Sequence, residues 1–221
     1  MDSNFKSAGG LDEAVEAVLQ EFHVRADEEG ERIRHIPPEE FQSHWDEFLL
    51  PVGPAFGQMM SILIKEARCQ TILEIGTSYG YSTVWLADAA RSTGGKVISL
   101  DIHPEKQEHA GAAVAKAGLT KFVEFRLGDA RESIAAMKER VDFVLLDLWK
   151  NFYIECFDLF YPKLNPGALI AADNMIFPES SRDEAAKYQQ HVRAKPDIQS
   201  IFLPVGSGME LSRCTRGAKF I

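Results

Sequence analysis

Short apolar runs that alternate with helical stretches constrain the fold of this chain more than any other feature. Five such runs follow residue 70, and each has the length of a buried strand rather than that of a helix. They lie at 71–75, 96–101, 122–127, 141–147 and 168–173, with helical stretches between them at 81–92, 104–117, 130–139 and 151–163. Buried strands that alternate with helices of this length are typical of a doubly wound α/β fold with parallel strands.

The two ends of the chain depart from this alternation. Apolar residues recur at helical spacing from Leu11 to about Glu31, and residues 39–68 predict one or two further helices with a break near 51–54. A helix at 181–194 is followed by two strand-like runs, 200–205 and 209–213, which are separated by the turn residues Gly-Ser-Gly. Such a turn indicates an antiparallel hairpin.

We therefore expect a mostly parallel, Rossmann-like sheet of seven strands with a C-terminal antiparallel hairpin. Residues 1–221 form a single domain in this interpretation. Its N-terminal helical segment covers 1–68, and its α/β core covers 69–221.

Charge and composition exclude several classes of protein. The 24 basic residues are outnumbered by 33 acidic ones, and the net charge of −9 disfavours nucleic acid and anionic membranes as partners. No apolar run has the length of a membrane span, about 18 residues, and the acidic start is unlike a signal peptide. The 3 cysteines show neither a CxxC pattern nor a histidine cluster, so we expect buried thiols in a cytoplasmic protein.

A glycine loop follows the first predicted strand, where α/β sheets bind ligands. Its pattern is G-x-x-x-G, from Gly76 to Gly80, and Ser78 stands where a dinucleotide-binding loop has another glycine. Glu74 would repel a pyrophosphate but suits a cationic ligand. Asp101 ends the second strand, where a carboxylate can hold a ribose diol. S-adenosylmethionine (SAM), a positively charged nucleoside without phosphates, fits this description, although a glycine turn and a strand-end acid can also be purely structural.

Polar residues at the ends of the fourth and fifth predicted strands indicate a metal site. Asp147 ends one strand, and Asp173 with Asn174 ends the other, so their oxygens converge if these strands are neighbours. Carboxylate and amide oxygens are ligands that Mg²⁺ prefers. The alternative is a turn and a helix cap. Lys150 is then a candidate general base, because a nearby cation lowers the pKa of a lysine, and Trp149 is a candidate wall for an aromatic substrate.

These motifs resemble the class I SAM-dependent methyltransferases, specifically the metal-dependent catechol and caffeoyl-CoA O-methyltransferase family. L-E-I-G-T-S-Y-G-Y-S resembles the first SAM motif of that family, and V-G-P-A-F-G-Q resembles its upstream segment. L-D-I-H-P is similar to the ribose motif and G-D-A to the adenine-side turn. L-D-L-W-K-N-F-Y and A-D-N-M-I-F-P are similar to the metal and catalytic motifs. The resemblance covers about residues 37–214.

The resemblance implies a role for each matching position. The residues implied to bind SAM are Val52, Glu74, Gly76, Tyr79, Gly80, Ser82, Asp101, Ile102, Asp129, Ala130 and Asp147. Those implied to hold Mg²⁺ or another divalent cation are Asp147, Asp173 and Asn174, with Lys150 as the catalytic base. Phe48, Trp149 and Pro178 are implied to contact the substrate. Phe48 stands where the catechol enzymes have a tryptophan, so the identity of the acceptor stays open.

The resulting hypothesis is a SAM-dependent, metal-dependent O-methyltransferase that acts on a small phenolic substrate. The acceptor is expected to be a catechol-like vicinal diphenol, and the family's usual form implies a homodimer. Two alternatives remain at this point. One is a SAM-binding protein without catalysis, and the other is an NAD-dependent oxidoreductase on a similar sheet.

Overall fold

A single seven-stranded sheet forms the centre of the computed structural model, which describes residues 10–37 and 44–217. The strand order is β3-β2-β1-β4-β5-β7-β6. Neighbours from β3 to β5 pair in parallel, whereas β7 runs antiparallel to both β5 and β6. The strands are β1 (Thr71–Ile75), β2 (Lys96–Asp101), β3 (Val123–Leu127), β4 (Val141–Leu146), β5 (Leu164–Ala172), β6 (Ile198–Leu203) and β7 (Met209–Cys214). The predicted fold class is confirmed.

Seven α-helices cover the two faces of this sheet within the described residues. They are α1 (Glu13–Ile33), α2 (Pro54–Ala67), α3 (Tyr81–Thr93), α4 (Pro104–Lys116), α5 (Ala130–Ala136), α6 (Tyr153–Phe160) and α7 (Arg182–Arg193). Helices α1 to α4 pack on one face and α5 to α7 on the other. Along β4, Phe143 and Leu145 contribute to the first core, and Val144 and Leu146 contribute to the second. This alternation buries both faces of the strand, so every β4 position is apolar except Asp142.

The N-terminal third contains both a regular and an irregular part. The predicted first helix is α1, which is capped by Asp12 and packs through an apolar stripe against α3 and α4. Of the predicted helical segment 39–68, residues 39–43 lie outside the description, and among the described ones only a 3₁₀ turn (Trp45–Glu47) and α2 are helical. Residues 48–52, here called the wall segment, connect these two elements without regular structure.

Several boundaries differ from the prediction, and two of them have a local reason. Strand β5 begins at Leu164 instead of 168, because Leu164 already pairs with Val141 before the register shifts. Helix α5 was expected to extend to 139, but it ends at Ala136, and the backbone of Met137 turns to ψ 134°.

The C-terminal hairpin contacts the segment that follows β5. Its turn, residues 204–208, accepts hydrogen bonds from the backbone of residues 175–177. Met175 N donates to Gly208 O (3.0 Å), and Ile176 N donates to Ser207 O (2.9 Å). The hairpin therefore supports the loop that carries Asn174 and Pro178.

Two findings concern the environment of the chain. Within the described residues, every helix is too short or too polar to cross a membrane. Cys69, Cys156 and Cys214 are free thiols, and all of them are buried.

Candidate active site

A cavity of about 640 Å³ opens at the carboxyl ends of the parallel strands. It is bounded by the wall segment and by the loops that follow β1 to β5. Most residues predicted to form the site line it: Phe48, Val52, Gly76, Tyr79, Ser82, Asp101, Ile102, Asp129, Ala130, Asp147, Trp149, Lys150, Asn174 and Pro178. Three predicted residues lie outside the lining, namely Glu74, Gly80 and Asp173.

The glycine loop (residues 76–80) turns tightly between the strand ends. Gly76 has a φ of 108°, and a Cβ at this position would overlap the carbonyl oxygen of Asp147. Gly80 has a φ of 95° and lies against Ala110 of α4, where a Cβ would come within 2.7 Å of the alanine side chain. Gly80 therefore serves the packing between the loop and α4 and does not face the cavity.

Asp101 is held at the cavity wall by three hydrogen bonds. Ser78 N donates to one carboxylate oxygen (2.6 Å), and the other oxygen accepts from His103 N (2.8 Å). Nδ1 of His103 lies 3.1 Å from that second oxygen. The sequence analysis gave His103 no role, although it lines the cavity two residues after Asp101. The carboxylate is thus oriented before any ligand binds.

Glu74 lies behind the glycine loop and is fully buried. Its carboxylate accepts hydrogen bonds from the hydroxyls of Ser82, Thr83 and Ser99, each at 2.6 Å. Burial raises the pKa of Glu74 to about 7, and the hydroxyl donors oppose that shift. Its oxygens face hydroxyls beneath the loop, outside the cavity lining, and a contact between Glu74 and the cofactor stays a prediction.

Asp129 lies at the far end of the cavity, where an adenine was expected. It caps α5, and Arg131 forms a close ion pair with its carboxylate (2.5 Å). This arginine lowers the pKa of Asp129 to about 2. The carboxylate is consequently charged, and part of its hydrogen-bonding capacity is already in use.

The predicted acidic cluster forms at the ends of β4 and β5. Leu146 pairs with Ala172, so Asp147 and Asp173 follow paired positions on neighbouring strands. Asn174 adopts a left-handed backbone with φ 58°, a conformation that asparagine tolerates well. Burial raises the pKa of both aspartates, and the charge of Asp147 raises that of Asp173 further.

One atom of this cluster indicates that a cation fits there. Oδ1 of Asp173 is buried and has no hydrogen-bond partner among residues 10–37 and 44–217. A buried carboxylate oxygen without a partner is costly, and a divalent cation would offset both its desolvation and the repulsion from Asp147. The described residues contain no group of three His, Cys, Asp or Glu that could hold a metal. The predicted set needs only two carboxylates, because its third ligand is an amide oxygen.

Lys150 lies over the same cluster. Its Nζ donates to Asn174 Oδ1 (2.7 Å) and to the hydroxyl of Tyr153 (2.6 Å), which in turn donates to the carbonyl of Leu146 (2.9 Å). Burial lowers the pKa of Lys150 to about 8, against the opposing charges of the two aspartates. Tyr153 was missed as a site residue. Its spacing of three positions after Lys150 is the only signal that the sequence carries for this contact.

Aromatic side chains form the remaining wall of the cavity. The rings of Trp45 and Trp149 lie with centroids 6.1 Å apart and an interplanar angle of 44°. Trp149 remains half exposed, whereas Phe48 is buried, and both residues line the cavity. Pro178 completes this side. Trp45 was missed because an irregular segment gives no periodicity from which its position could be predicted.

Comparisons with known proteins agree with this arrangement. The O-methyltransferase family model matches residues 27–215. A catechol O-methyltransferase of Niastella koreensis is 33% identical over 139 residues, which cover 61% of this chain and 62% of that protein. The caffeoyl-CoA O-methyltransferase 2 of Petunia hybrida is 30% identical over 178 residues, with coverages of 71% and 73%.

A solved structure shows the same fold along nearly the whole chain. The O-methyltransferase from Bacillus cereus, crystallised in complex with SAH, superimposes with a TM-score of 0.73 at 25% identity. The match covers 94% of this chain and 93% of that one. With the family model spanning most of the sequence, the chain belongs to the O-methyltransferase family.

Proposed function

We propose that this O-methyltransferase moves a methyl group from SAM to one hydroxyl of a vicinal diphenol, with a divalent cation at the acceptor. One observation carries this proposal. The glycine loop and Asp101 line the same cavity as Asp147, Lys150 and Asn174. A nucleoside cofactor and an acceptor hydroxyl can therefore meet in one enclosed space. Family membership removes the alternative of an NAD-dependent oxidoreductase.

The cofactor end suits an adenosyl group. Both oxygens of Asp101 are oriented by backbone donors at the cavity wall, where they can accept hydrogen bonds from a ribose diol. Ser78, at φ 47°, leaves less room than a glycine for a pyrophosphate to approach. The structural neighbour from Bacillus cereus was solved with SAH. These observations support SAM as the methyl donor.

The acceptor end suits a hard divalent cation. Asp147, Asp173 and Asn174 would supply its oxygen ligands, and the unpartnered Oδ1 of Asp173 supports this assignment. When bound, Mg²⁺ would lower the pKa of the acceptor hydroxyl, and SAM would supply an electrophilic methyl group. A diphenol presents two adjacent oxygens. They could fill coordination positions that the three protein ligands leave open on the cation.

The side chains of this protein perform the remaining tasks. Lys150, once neutral, accepts the hydroxyl proton at Nζ, and its lowered pKa makes the neutral form accessible near neutral pH. Tyr153 and Asn174 hold that nitrogen in place. Trp45 and Trp149 provide flat apolar surfaces that orient an aromatic ring. Positioning alone accounts for several kcal/mol of barrier reduction, roughly 7 or more in well-oriented cases.

The proposal is tested by mass spectrometry of an acceptor panel. Purified protein is incubated with SAM and with catechol, caffeate, caffeoyl-CoA or a monophenol, in Mg²⁺ or in EDTA. We expect the mass of one methyl group to be added to diphenols only, and EDTA to abolish the reaction. Methylation that persists in EDTA would overturn the role of the cation. Absence of methylation with SAM binding intact would favour a binding protein without catalysis.

A variant at the aromatic wall tests the ring-binding part of the proposal. Trp45→Ala removes one face next to Trp149, and we expect KM for the diphenol to rise by about 5-fold, since one aromatic contact contributes on the order of 1 kcal/mol. Trp85→Phe changes a tryptophan that is buried in the core and lines no part of the cavity, so it serves as the control. An unchanged KM in Trp45→Ala would exclude a ring at this wall.

A further inference from the structure

Glu29 is a carboxylate buried on α1, among residues that otherwise face the apolar core. Only 8% of the residue is exposed. One oxygen accepts from Arg25 Nε (2.7 Å), and the other accepts from the backbone N–H of Leu49 (2.7 Å). The carboxylate thus connects α1 to the start of the cavity wall, 20 residues further along the chain.

The wall segment depends on this connection because it has no ladder or helix of its own. Leu49 is buried, and its backbone N–H would lose its partner without Glu29. Leu50, the next residue, has a φ of 41°, which is unfavourable for a branched side chain. A segment with this conformation keeps its shape only when its surroundings hold it. The residues from Phe48 to Val52 all line the cavity.

Arg25 makes the second connection, to the glycine loop. Its guanidinium carbon lies 3.8 Å from the centroid of the Tyr79 ring. Tyr79 lines the cavity, and its hydroxyl donates to the carbonyl of Glu47 (3.2 Å). The Arg25–Glu29 pair therefore touches both the wall segment and the glycine loop, and both of these elements line the cavity.

Helix stabilisation is a weaker explanation for this pair. For charge pairs four residues apart, the favourable order places the acid before the base, and here the base comes first. An exposed helical pair contributes little in any case. Burial of Glu29 together with its bond to Leu49 N indicates a tertiary role.

We propose that Arg25 and Glu29 are positioning residues that hold the wall segment and the glycine loop in the arrangement that retains the cofactor. The inference rests on the proposed function, because it assigns the retained ligand as an adenosyl cofactor. Loss of the pair lets the two elements separate, and the cofactor then dissociates faster. The chemical step, which we place at Lys150, is affected less.

The test compares Glu29→Gln with Glu31→Gln in the full chain. Glu31 lies on the same helix and pairs with Arg34, but both side chains are about two-thirds exposed. S-adenosylhomocysteine is the probe, titrated calorimetrically. We expect about 10-fold weaker binding for Glu29→Gln, the size expected when one hydrogen bond to a charged group is lost, and no change for Glu31→Gln. At saturating SAM, kcat of Glu29→Gln should stay within about 3-fold of the wild-type value, whereas KM for SAM rises.

Arg25 variants separate positioning from a general loss of stability. Arg25→Leu should weaken binding of the probe, and Arg25→Lys should recover part of that loss, because it keeps the charge beside Glu29 but not the flat stack on Tyr79. Hydrogen exchange of the ligand-free protein adds a readout without cofactor. We expect faster exchange at the amide of Leu49 in Glu29→Gln, with the central strands unchanged.

The outcomes distinguish the two proposals. If the wild-type chain fails to bind S-adenosylhomocysteine, the proposed function is overturned, and the cofactor role of the pair with it. If the wild type binds and the Glu29→Gln and Glu31→Gln variants bind equally well, only the positioning role is overturned. Equal losses of kcat and affinity with faster exchange throughout the sheet would assign Glu29 to global stability instead.

Discussion

Two groups of buried carboxylates, one on β1 and one at the ends of β4 and β5, differ in how their oxygens are satisfied. Glu74 on β1 receives three hydroxyl donors, all of them from the protein. Asp173, just after β5, is equally buried, yet one of its oxygens has no partner in the described part of the chain. The difference teaches that burial of a carboxylate does not by itself mark a site. A buried carboxylate with an unsatisfied oxygen does, because that oxygen awaits a partner that the fold does not supply.

Replacement of each carboxylate by its amide, Asp173→Asn and Glu74→Gln, gives the sharpest test of this comparison. Asp173→Asn should lower kcat/KM by at least about 100-fold, since a metal ligand is lost from the acceptor end, and added Mg²⁺ should not restore it. Without divalent cations, the free energy of unfolding at pH 8 should stay the same or increase, because the raised pKa of Asp173 shows that its charge is unfavourable in the folded state. Assays over a Mg²⁺ titration and urea unfolding check both parts. An Asp173→Asn variant with wild-type kcat/KM would show that Asp173, like Glu74, is a buried carboxylate without a role in the reaction.

Lys150 provides the next test, because it belongs to the Asp173 cluster alone. Lys150→Met should lower kcat by about 100-fold, the usual range for loss of a general base, and should change SAM affinity little. Lys187→Met is a matched control, since that lysine is exposed on α7 and pairs only with Glu184 among the described contacts. Steady-state kinetics and calorimetry measure the two quantities. Weaker SAM binding with normal kcat at saturation would give Lys150 a structural role.

Glu74 should reveal itself through the pH dependence of stability. Its pKa is about 7 in the folded protein against 4.5 for an ordinary glutamate, so the folded state holds a proton that the unfolded state releases. The proton on Glu74 therefore stabilises the folded protein. Its contribution to the free energy of unfolding, about 3 kcal/mol, is fully present below pH 4.5 and is lost as the pH rises through about 7. Glu74→Gln cannot titrate. Its free energy of unfolding should therefore decline less between pH 5 and 8 than that of the wild type, as urea melts at each pH will show.

Activity supplies the contrast for the same variant. Because Glu74 lies outside the cavity lining, kcat of Glu74→Gln should remain within about 3-fold of the wild-type value at a pH where both fold. A loss as large as that of Asp173→Asn would mean that both clusters serve the reaction. The comparison between them would then fail.

The smallest effect is expected from one hydroxyl of the Glu74 cluster. Thr83→Val removes a single donor from a buried position and preserves the shape of the side chain. We expect destabilisation by about 1 kcal/mol at pH 8, where Glu74 is charged, and less at pH 5. Thermal melts at the two pH values measure it. Equal destabilisation at both would show that the hydroxyl supports packing and not the charge.

The fold could be predicted from the sequence because the central strands β1, β2 and β4 are largely apolar and buried, and helices of crossover length lie between the parallel strands. The acidic cluster was also predictable, since Asp147, Asp173 and Asn174 follow apolar runs and parallel strands end at the same edge. The buried, hydrogen-bonded position of Glu74 could not be predicted in this way. Its donor Ser99 becomes its partner through the register of β1 on β2, and local sequence does not specify register.

The irregular residues escaped prediction for a related reason. Trp45 reaches Trp149, and Leu49 reaches Glu29, through a segment with neither helical nor strand periodicity. Tyr153 was within the quoted motif, but its spacing from Lys150 alone could not distinguish a hydroxyl that bonds to Lys150 from one that only packs in the core. Contacts of this kind depend on tertiary packing, so they become visible only in the structure.

The backbone bonds between the C-terminal turn and residues 175–177 have a consequence for how such enzymes diversify. The turn supports the acceptor loop through main-chain atoms, so its side chains can be exchanged without altering Asp173 or Asn174. Residues 204–208 do not line the cavity, so a substitution there would reach the site only through the loop of residues 174–178. Substitutions limited to residues 204, 205 and 207 would test this support, with Gly206 and Gly208 kept because a Cβ would come within 2.8 Å of the Val52 carbonyl oxygen or collide with Ile176.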